Sequence, residues 1–181
     1  MKYYFYVILL IPLFINCKKE KGCVNENAMN YSSEAKKDDG SCIYVSDIAP
    51  GVWDIDPNCE EILIPKLDET SMLPLFPLQY DTINFNELFL DTINVMYSSN
   101  NNYYIDILGL QIEGEIDNNG IINIPRQSIE FNDFGMPIEL DGTGEINETS
   151  TGKINLTFYI STGIELFPTY EFSCEISLSK Y

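Results

Sequence analysis

Ile138-Glu139-Leu140-Asp141-Gly142-Thr143-Gly144-Glu145-Ile146 alternates apolar or glycine positions with acidic or hydroxyl ones. A period of two is the pattern of a strand with one face in a core and one in water. Lys153–Ile160 repeats it after a turn predicted at Thr149-Ser150-Thr151-Gly152. The last segment puts Tyr170, Phe172, Cys174, Ile176 and Leu178 on one side and Glu171, Ser173, Glu175 and Ser177 on the other. Upstream, Asn118-Asn119-Gly120 separates Ile112–Ile116 from Ile121–Ile124, a hairpin in which Gly120 supplies positive φ. Earlier strands are predicted over Val52–Ile55, Glu61–Ile64, Thr82–Phe85, Leu90–Tyr97 and Tyr103–Leu110. No capped helical stretch competes. Pro65, Pro74, Pro77, Pro125, Pro137 and Pro168 are expected in loops or at strand ends. About eight or nine closely spaced strands give an all-β domain over residues 47–181, an antiparallel barrel or sandwich that is largely a meander.

The five cysteines divide into one plus two pairs. Cys17 closes an apolar N-terminal run, Cys23 and Cys42 bracket an Asn/Asp/Gly-rich segment, and Cys59 and Cys174 lie near opposite ends of the β domain. Two disulfides in an oxidising compartment are expected. Residues 22–46 hold too few apolar side chains for a core, so a Cys23–Cys42 bridge would take its place, contributing about 3 kcal/mol. Cys174 falls on the inward face, and a bridge to Cys59 closes a much longer loop, about 4–5 kcal/mol on the disputed chain-entropy account.

Lys2 is the only charge before the apolar run Tyr3–Ile15, which is short against the roughly 20 residues of a membrane span. Residues 1–16 are predicted to be a signal peptide and residues 17–21 a tether. Leu13-Phe14-Ile15-Asn16-Cys17 resembles the loose lipobox of lipoproteins from Bacteroidota, with Asn16 and Phe14 departing from the commoner residues. That resemblance implies that Cys17 becomes the acylated first residue of the mature chain, and triacylation exceeds the two-signal requirement for stable anchoring. The other readings are an ordinary cleaved signal or an uncleaved anchor. The resemblance places the protein in the cell envelope, with the outer membrane expected. Lys18-Lys19-Glu20-Lys21 lacks the acidic run that resembles a surface-export signal in this phylum, which favours the periplasmic face.

The chain carries 28 acidic against 10 basic residues, a formal charge of −18, and loss of Lys2 makes the mature form more acidic still. Nucleic acid and anionic headgroups both require clustered Lys and Arg, so neither is an expected partner. Solubility is the favoured account of the acidity, ahead of a preference for cations or basic partners.

Gly22-Cys23, Asn27-Ala28-Met29-Asn30-Tyr31 and Asp38-Asp39-Gly40-Ser41-Cys42-Ile43-Tyr44 closely resemble a short cysteine motif of secreted and surface proteins of Bacteroidota. Asn25, Asn27, Asn30, Asp38 and Asp39 offer hard oxygen ligands for calcium, but their spacing is not that of an EF-hand loop. Plain turns use the same residues.

Gly51-Val52-Trp53 resembles the Gly-x-Trp of lipocalin-like first strands. The wider layout is similar to a small β domain of flavobacterial lipoproteins: Gly51–Trp53, Cys59, Ile122–Gln127, Gly142–Ile146, Ile154–Ile160 and Cys174–Tyr181. The Pro/Leu insert 68–78 departs from that layout.

With no histidine anywhere, Ser-His-Asp triads, His-based zinc sites and imidazole acid–base catalysis are excluded. Disulfide-bound cysteines ligate no zinc. Carboxylate pairs remain, though among 28 acids they arise by chance. No enzyme and no cofactor is expected. Asp81-Thr82-Ile83 and Asp91-Thr92-Ile93 resemble the O-glycosylation acceptor of Bacteroidota at Thr82 and Thr92, or are two strands with outward threonines. Met72–Leu78 is expected to pack across one end of the barrel, or with Leu166-Phe167-Pro168 to rim an apolar pocket. The expected function is a non-catalytic, lipid-anchored envelope protein acting as a binding or accessory module. The alternatives are a lipocalin-like carrier of a small apolar ligand and a surface structural or adhesion protein.

Overall fold

Alternation becomes a ring of strands. The computed structural model describes residues 20–65, 80–129, 138–161 and 169–180. Two short strands, β1 (Lys21–Gly22) and β2 (Lys37–Asp38), pair in parallel in the N-terminal module. Helix α1 (Val45–Ile48) then leads into β3 (Gly51–Cys59). An excursion follows, with the hairpin β4 (Ile62–Pro65) and β5 (Tyr80–Ile83) and a 3-10 turn at Phe85–Glu87. The rest is a meander: β6 (Thr92–Ser99), β7 (Asn102–Ile107), β8 (Leu110–Ile116), β9 (Ile121–Ile129), β10 (Ile138–Ile146), β11 (Thr151–Ile160) and β12 (Tyr170–Ser179).

Eight strands close a barrel in the order β3-β6-β7-β8-β9-β10-β11-β12 and back to β3, every neighbour antiparallel. It is a barrel, not a sandwich, and its up-and-down order is lipocalin-like. The seam joins the first strand to the last. Cys174 pairs with Cys59 at one end of that ladder and Ser179 with Asp54 at the other. The Cys59–Cys174 disulfide crosses the seam, and Cys23–Cys42 staples the module.

The inward set is the alternating one: Ile138, Leu140, Ile146, Ile154, Leu156, Phe158, Ile160, Phe172, Cys174, Ile176 and Leu178 are all buried. Gly142 is needed where β10 and β11 approach, because a Cβ there would lie 2.6 Å from the Asn155 carbonyl oxygen. Trp53 plugs the end of the barrel where β3 begins. Its Nε1 donates to the Ala49 carbonyl at 2.9 Å. Lys180 closes the same end by donating to the carbonyls of Ile48 and Pro50, with its Nζ 5.6 Å from the Trp53 ring centre. At the opposite end Phe85 enters the barrel and packs on Phe172 and Phe158, at 4.1 and 5.7 Å between ring centres. The Asn86 side chain holds it there, accepting from Cys59 N–H at 2.7 Å and donating to Cys59 C=O at 3.4 Å.

Several sequence expectations need correction. The strand predicted over Tyr103–Leu110 stops at Ile107 and the next one starts at Leu110, because Leu108 and Gly109 take positive φ (57° and 72°) and form a two-residue hairpin turn. A leucine in that position carries no turn signal. The strand predicted to Phe85 stops at Ile83, and Phe85 is the plug. Pro125 lies inside β9 but at a bulge, where the register opposite Leu140 and Gly142 slips by one residue and no ladder N–H is required. The turn predicted at 149–152 spans 147–150, with β11 starting at Thr151. A short helix, α1, was not foreseen. It starts at Val45 and buries Val45 and Ile48 in the barrel core. The insert 68–78 and Leu166-Phe167-Pro168 lie outside the described residues.

Replacing Cys59 and Cys174 together by alanine and serine is expected to lower stability by about 4–5 kcal/mol. Urea unfolding followed by Trp53 fluorescence measures this, and an unchanged midpoint contradicts it.

Candidate functional site

The barrel interior comes first, because lipocalin-like carriers bind there. The space bounded by Ala49, Trp53, Ile105, Ile122, Ile154 and Leu178 amounts to about 10 Å³. That is at the lower limit of the roughly 10–15 Å³ needed for one water. Branched aliphatic residues fill this part of the core.

The outer wall is different where β8 and β9 part. Their ladder has two pairs, Glu115 with Asn123 and Ile116 with Ile122. Beyond these, Gln127 substitutes for a strand neighbour. Its amide oxygen accepts from Glu113 N–H at 3.0 Å, and its nitrogen donates to the carbonyls of Glu113 at 2.8 Å and Pro125 at 3.1 Å. Beside this bridge a cleft of about 360 Å³ is lined by Asn102, Tyr103, Tyr104, Glu113, Glu115 and Pro125, with Ser98 and Ser99 at its margin. Glu113 and Glu115 point outward two residues apart on β8. Neither carboxylate forms a hydrogen bond or ion pair among the described residues.

Tyr103 is 2% exposed and meets Tyr97 edge-on at 5.4 Å. Its hydroxyl has no partner among the described residues. No fully buried side-chain oxygen or nitrogen among them lacks one, so this hydroxyl keeps some contact with solvent. Burial, and secondarily Tyr97, push its pKa above the ordinary 10.0. Alternation alone had marked these positions only as outward or inward strand residues, and the cleft depends on the β8–β9 separation, which no local pattern announces.

A second, wider cleft of about 610 Å³ lies between the module and the barrel, floored by Met29, Ile146 and Leu178 and edged by Glu145, Glu148 and Lys153. Lys153 is already paired with Glu175 at 3.0 Å. The module docks here, with Asn118 Nδ2 donating to Asn27 Oδ1 at 3.2 Å and Met29 packing on the core.

The candidate calcium ligands are engaged in local turns. Asn25 Oδ1 accepts from Asn27 N–H, Asp38 Oδ1 from Gly40 N–H and Asp39 Oδ1 from Ser41 N–H. Hydrogen bonds from Ser41, first its hydroxyl and then its amide, hold Asp39 below the usual carboxylate pKa. Asn30 clamps the module by accepting from Ile43 N–H and donating to Ser41 C=O. Among the described residues no three His, Cys, Asp or Glu side chains gather as a metal site. Thr82 on β5 and Thr92 on β6 are exposed, the latter paired with Asp54. Cys17 lies outside the described residues. Arg126, at the β9 bulge, donates to Glu139 at 2.7 Å and lies 3.7 Å over the Tyr159 ring.

Compared with family models, curated proteins and solved structures, the chain matches none.

Replacing Gln127 by alanine leaves the Glu113 N–H and C=O without their protein partner and is expected to lower stability by about 1 kcal/mol, read from a denaturant midpoint. For Tyr103, the raised folded pKa means that its stability contribution is complete below pH about 10 and is lost as pH rises toward the folded value. Because Tyr159 is also held above its ordinary value, by burial and then by Asp141, phenolate absorbance should show late-titrating tyrosines, one of which Tyr103→Phe removes. Titration of all tyrosines together contradicts it.

Proposed function

We propose that this protein is a non-catalytic, lipid-anchored module of the cell envelope that binds through its outer surface. The observation that carries the reading is the close packing of the barrel core beneath Trp53 among the described residues. A carrier of an apolar ligand needs an internal cavity of roughly 300 Å³ or more, whereas the space beneath Trp53 is about 10 Å³. Two disulfides support an oxidising compartment, since thiols in the cytoplasm are kept reduced. The histidine-free sequence supports binding over catalysis.

In this reading Cys17 carries the acyl chains at the head of the tether, residues 17–21, which holds the module and barrel at the outer membrane, facing the periplasm. The exposed hydroxyls of Thr82 and Thr92 suit them as glycan acceptors. The resemblance to envelope lipoproteins of Bacteroidota belongs to the same proposal.

Intact mass spectrometry of protein purified from envelopes tests the assignment. The expected mass begins at an acylated Cys17 and lacks the four hydrogens of two disulfides, with any glycan as an added increment. A mass matching the unacylated, fully reduced chain contradicts it.

A further inference from the structure

We propose that Met29 is an oxidation site, and that its sulfoxide releases the disulfide-stapled module from the barrel. The inference rests on how module and barrel pack, and it holds whether or not Cys17 is acylated.

Among the described residues, the module reaches the barrel core through two side chains, Met29 and Ile43. An exposed hydrogen bond accompanies them, from Asn118 Nδ2 to Asn27 Oδ1 at 3.2 Å. The module's other ties are internal. Met29 N–H donates to Ile43 C=O at 2.8 Å, Ile43 N–H to Asn30 Oδ1 at 2.9 Å, and Cys23 is bonded to Cys42. Losing one apolar contact therefore removes a large share of what seats the module and leaves its own bonds in place.

The seat of Met29 is tight on one side and open on the other. A Cβ on Gly120 would lie 2.7 Å from the Met29 methyl carbon, so that contact is close. Yet Met29 is only half-buried, and with Ile146 and Leu178 it floors the wide cleft, where a small oxidant in solution can reach it. Donors around the seat are already engaged. Gly120 N–H is given to the Asp117 carbonyl at 3.0 Å and Ile146 N–H to the Gly120 carbonyl at 2.9 Å. Lys153, at the edge of the cleft, is paired with Glu175. A sulfoxide turns the flexible apolar side chain into a polar acceptor, and an acceptor held on an apolar floor without a donor is destabilised.

The reaction is a two-electron oxidation by a peroxide. A lone pair on the Met29 sulfur attacks one peroxide oxygen, and a new S–O bond forms as the O–O bond breaks. The departing oxygen leaves with the proton as water. Sulfur is oxidised to the sulfoxide and the peroxide is reduced. Met96 on β6 is half-buried too but lies opposite Tyr104 in the barrel wall, so it reports oxidant access without a module contact.

The test treats the detergent-solubilised full chain with hydrogen peroxide, maps oxidised methionines by peptide mass and reads amide order parameters by NMR. Met29 should gain one oxygen. Order parameters of the module amides, referred to the barrel, should then fall from about 0.85 to below about 0.6, with the barrel strands unchanged. Met29→Leu keeps an apolar side chain in the seat and should stay rigid under the same treatment. Met29 left intact at a peroxide dose that oxidises free methionine overturns the proposal, as does an oxidised Met29 with the module still rigid. Loosening of Met29→Leu by peroxide, or a module already mobile before treatment, also overturns it.

Discussion

An eight-stranded meander has two open edges until its first and last strands meet. Here they meet along Asp54–Cys59 and Cys174–Ser179. Apart from β3 and β6, which the excursion through β4 and β5 separates, consecutive strands are also neighbours in the barrel, so this contact joins the two strands farthest apart in sequence. It is also the most expensive in loop entropy. The disulfide at Cys59–Cys174 removes that entropy from the unfolded chain and fixes the ladder at one end. Lys180 fixes the other end, reaching from just past β12 to the carbonyls that precede β3. With both ends of the seam held, the apolar faces of all eight strands turn toward one another and exclude water.

The two ends of the barrel follow from that closure. Near the disulfide, Asn86 reads the backbone of Cys59 as a neighbouring strand would, and so delivers Phe85 into the mouth against Phe158 and Phe172. At the far end, Trp53, α1 and the docked module cover the floor. The result is a scaffold whose core near Trp53 is closely packed among the described residues. The β8–β9 parting is where the wall changes from a continuous ladder to side chains, with Gln127 maintaining continuity while leaving a cleft beside it.

Much of this was legible in the sequence because burial on a strand is a period-two property. Ile138–Ile146 and the strand through Tyr170–Leu178 appear where alternation placed them, as do Lys153–Ile160 within β11 and the hairpin at Gly120. The inward position of Cys174 pointed to its role. What stayed hidden depends on nonlocal geometry or on residues without a local signature. Leu108 tolerates positive φ because its side chain packs against the core, so nothing in Leu108-Gly109 resembled a typical turn pair. Pro125 looked like a strand end, yet a one-residue bulge admits it in mid-strand. Phe85 read as the end of a strand and instead plugs the barrel. Glu113, Glu115 and Tyr103 were ordinary strand residues until the parting of two strands put them around one space.

The seam is tested most directly by proteolysing the protein, isolated from its own compartment with thiols blocked, under non-reducing conditions. The structure requires one linked peptide pair containing Cys59 and Cys174, separate from a pair containing Cys23 and Cys42. Recovery of Cys59 or Cys174 as a blocked free thiol, or crosslinked to the module, would contradict a barrel locked shut between its first and last strands.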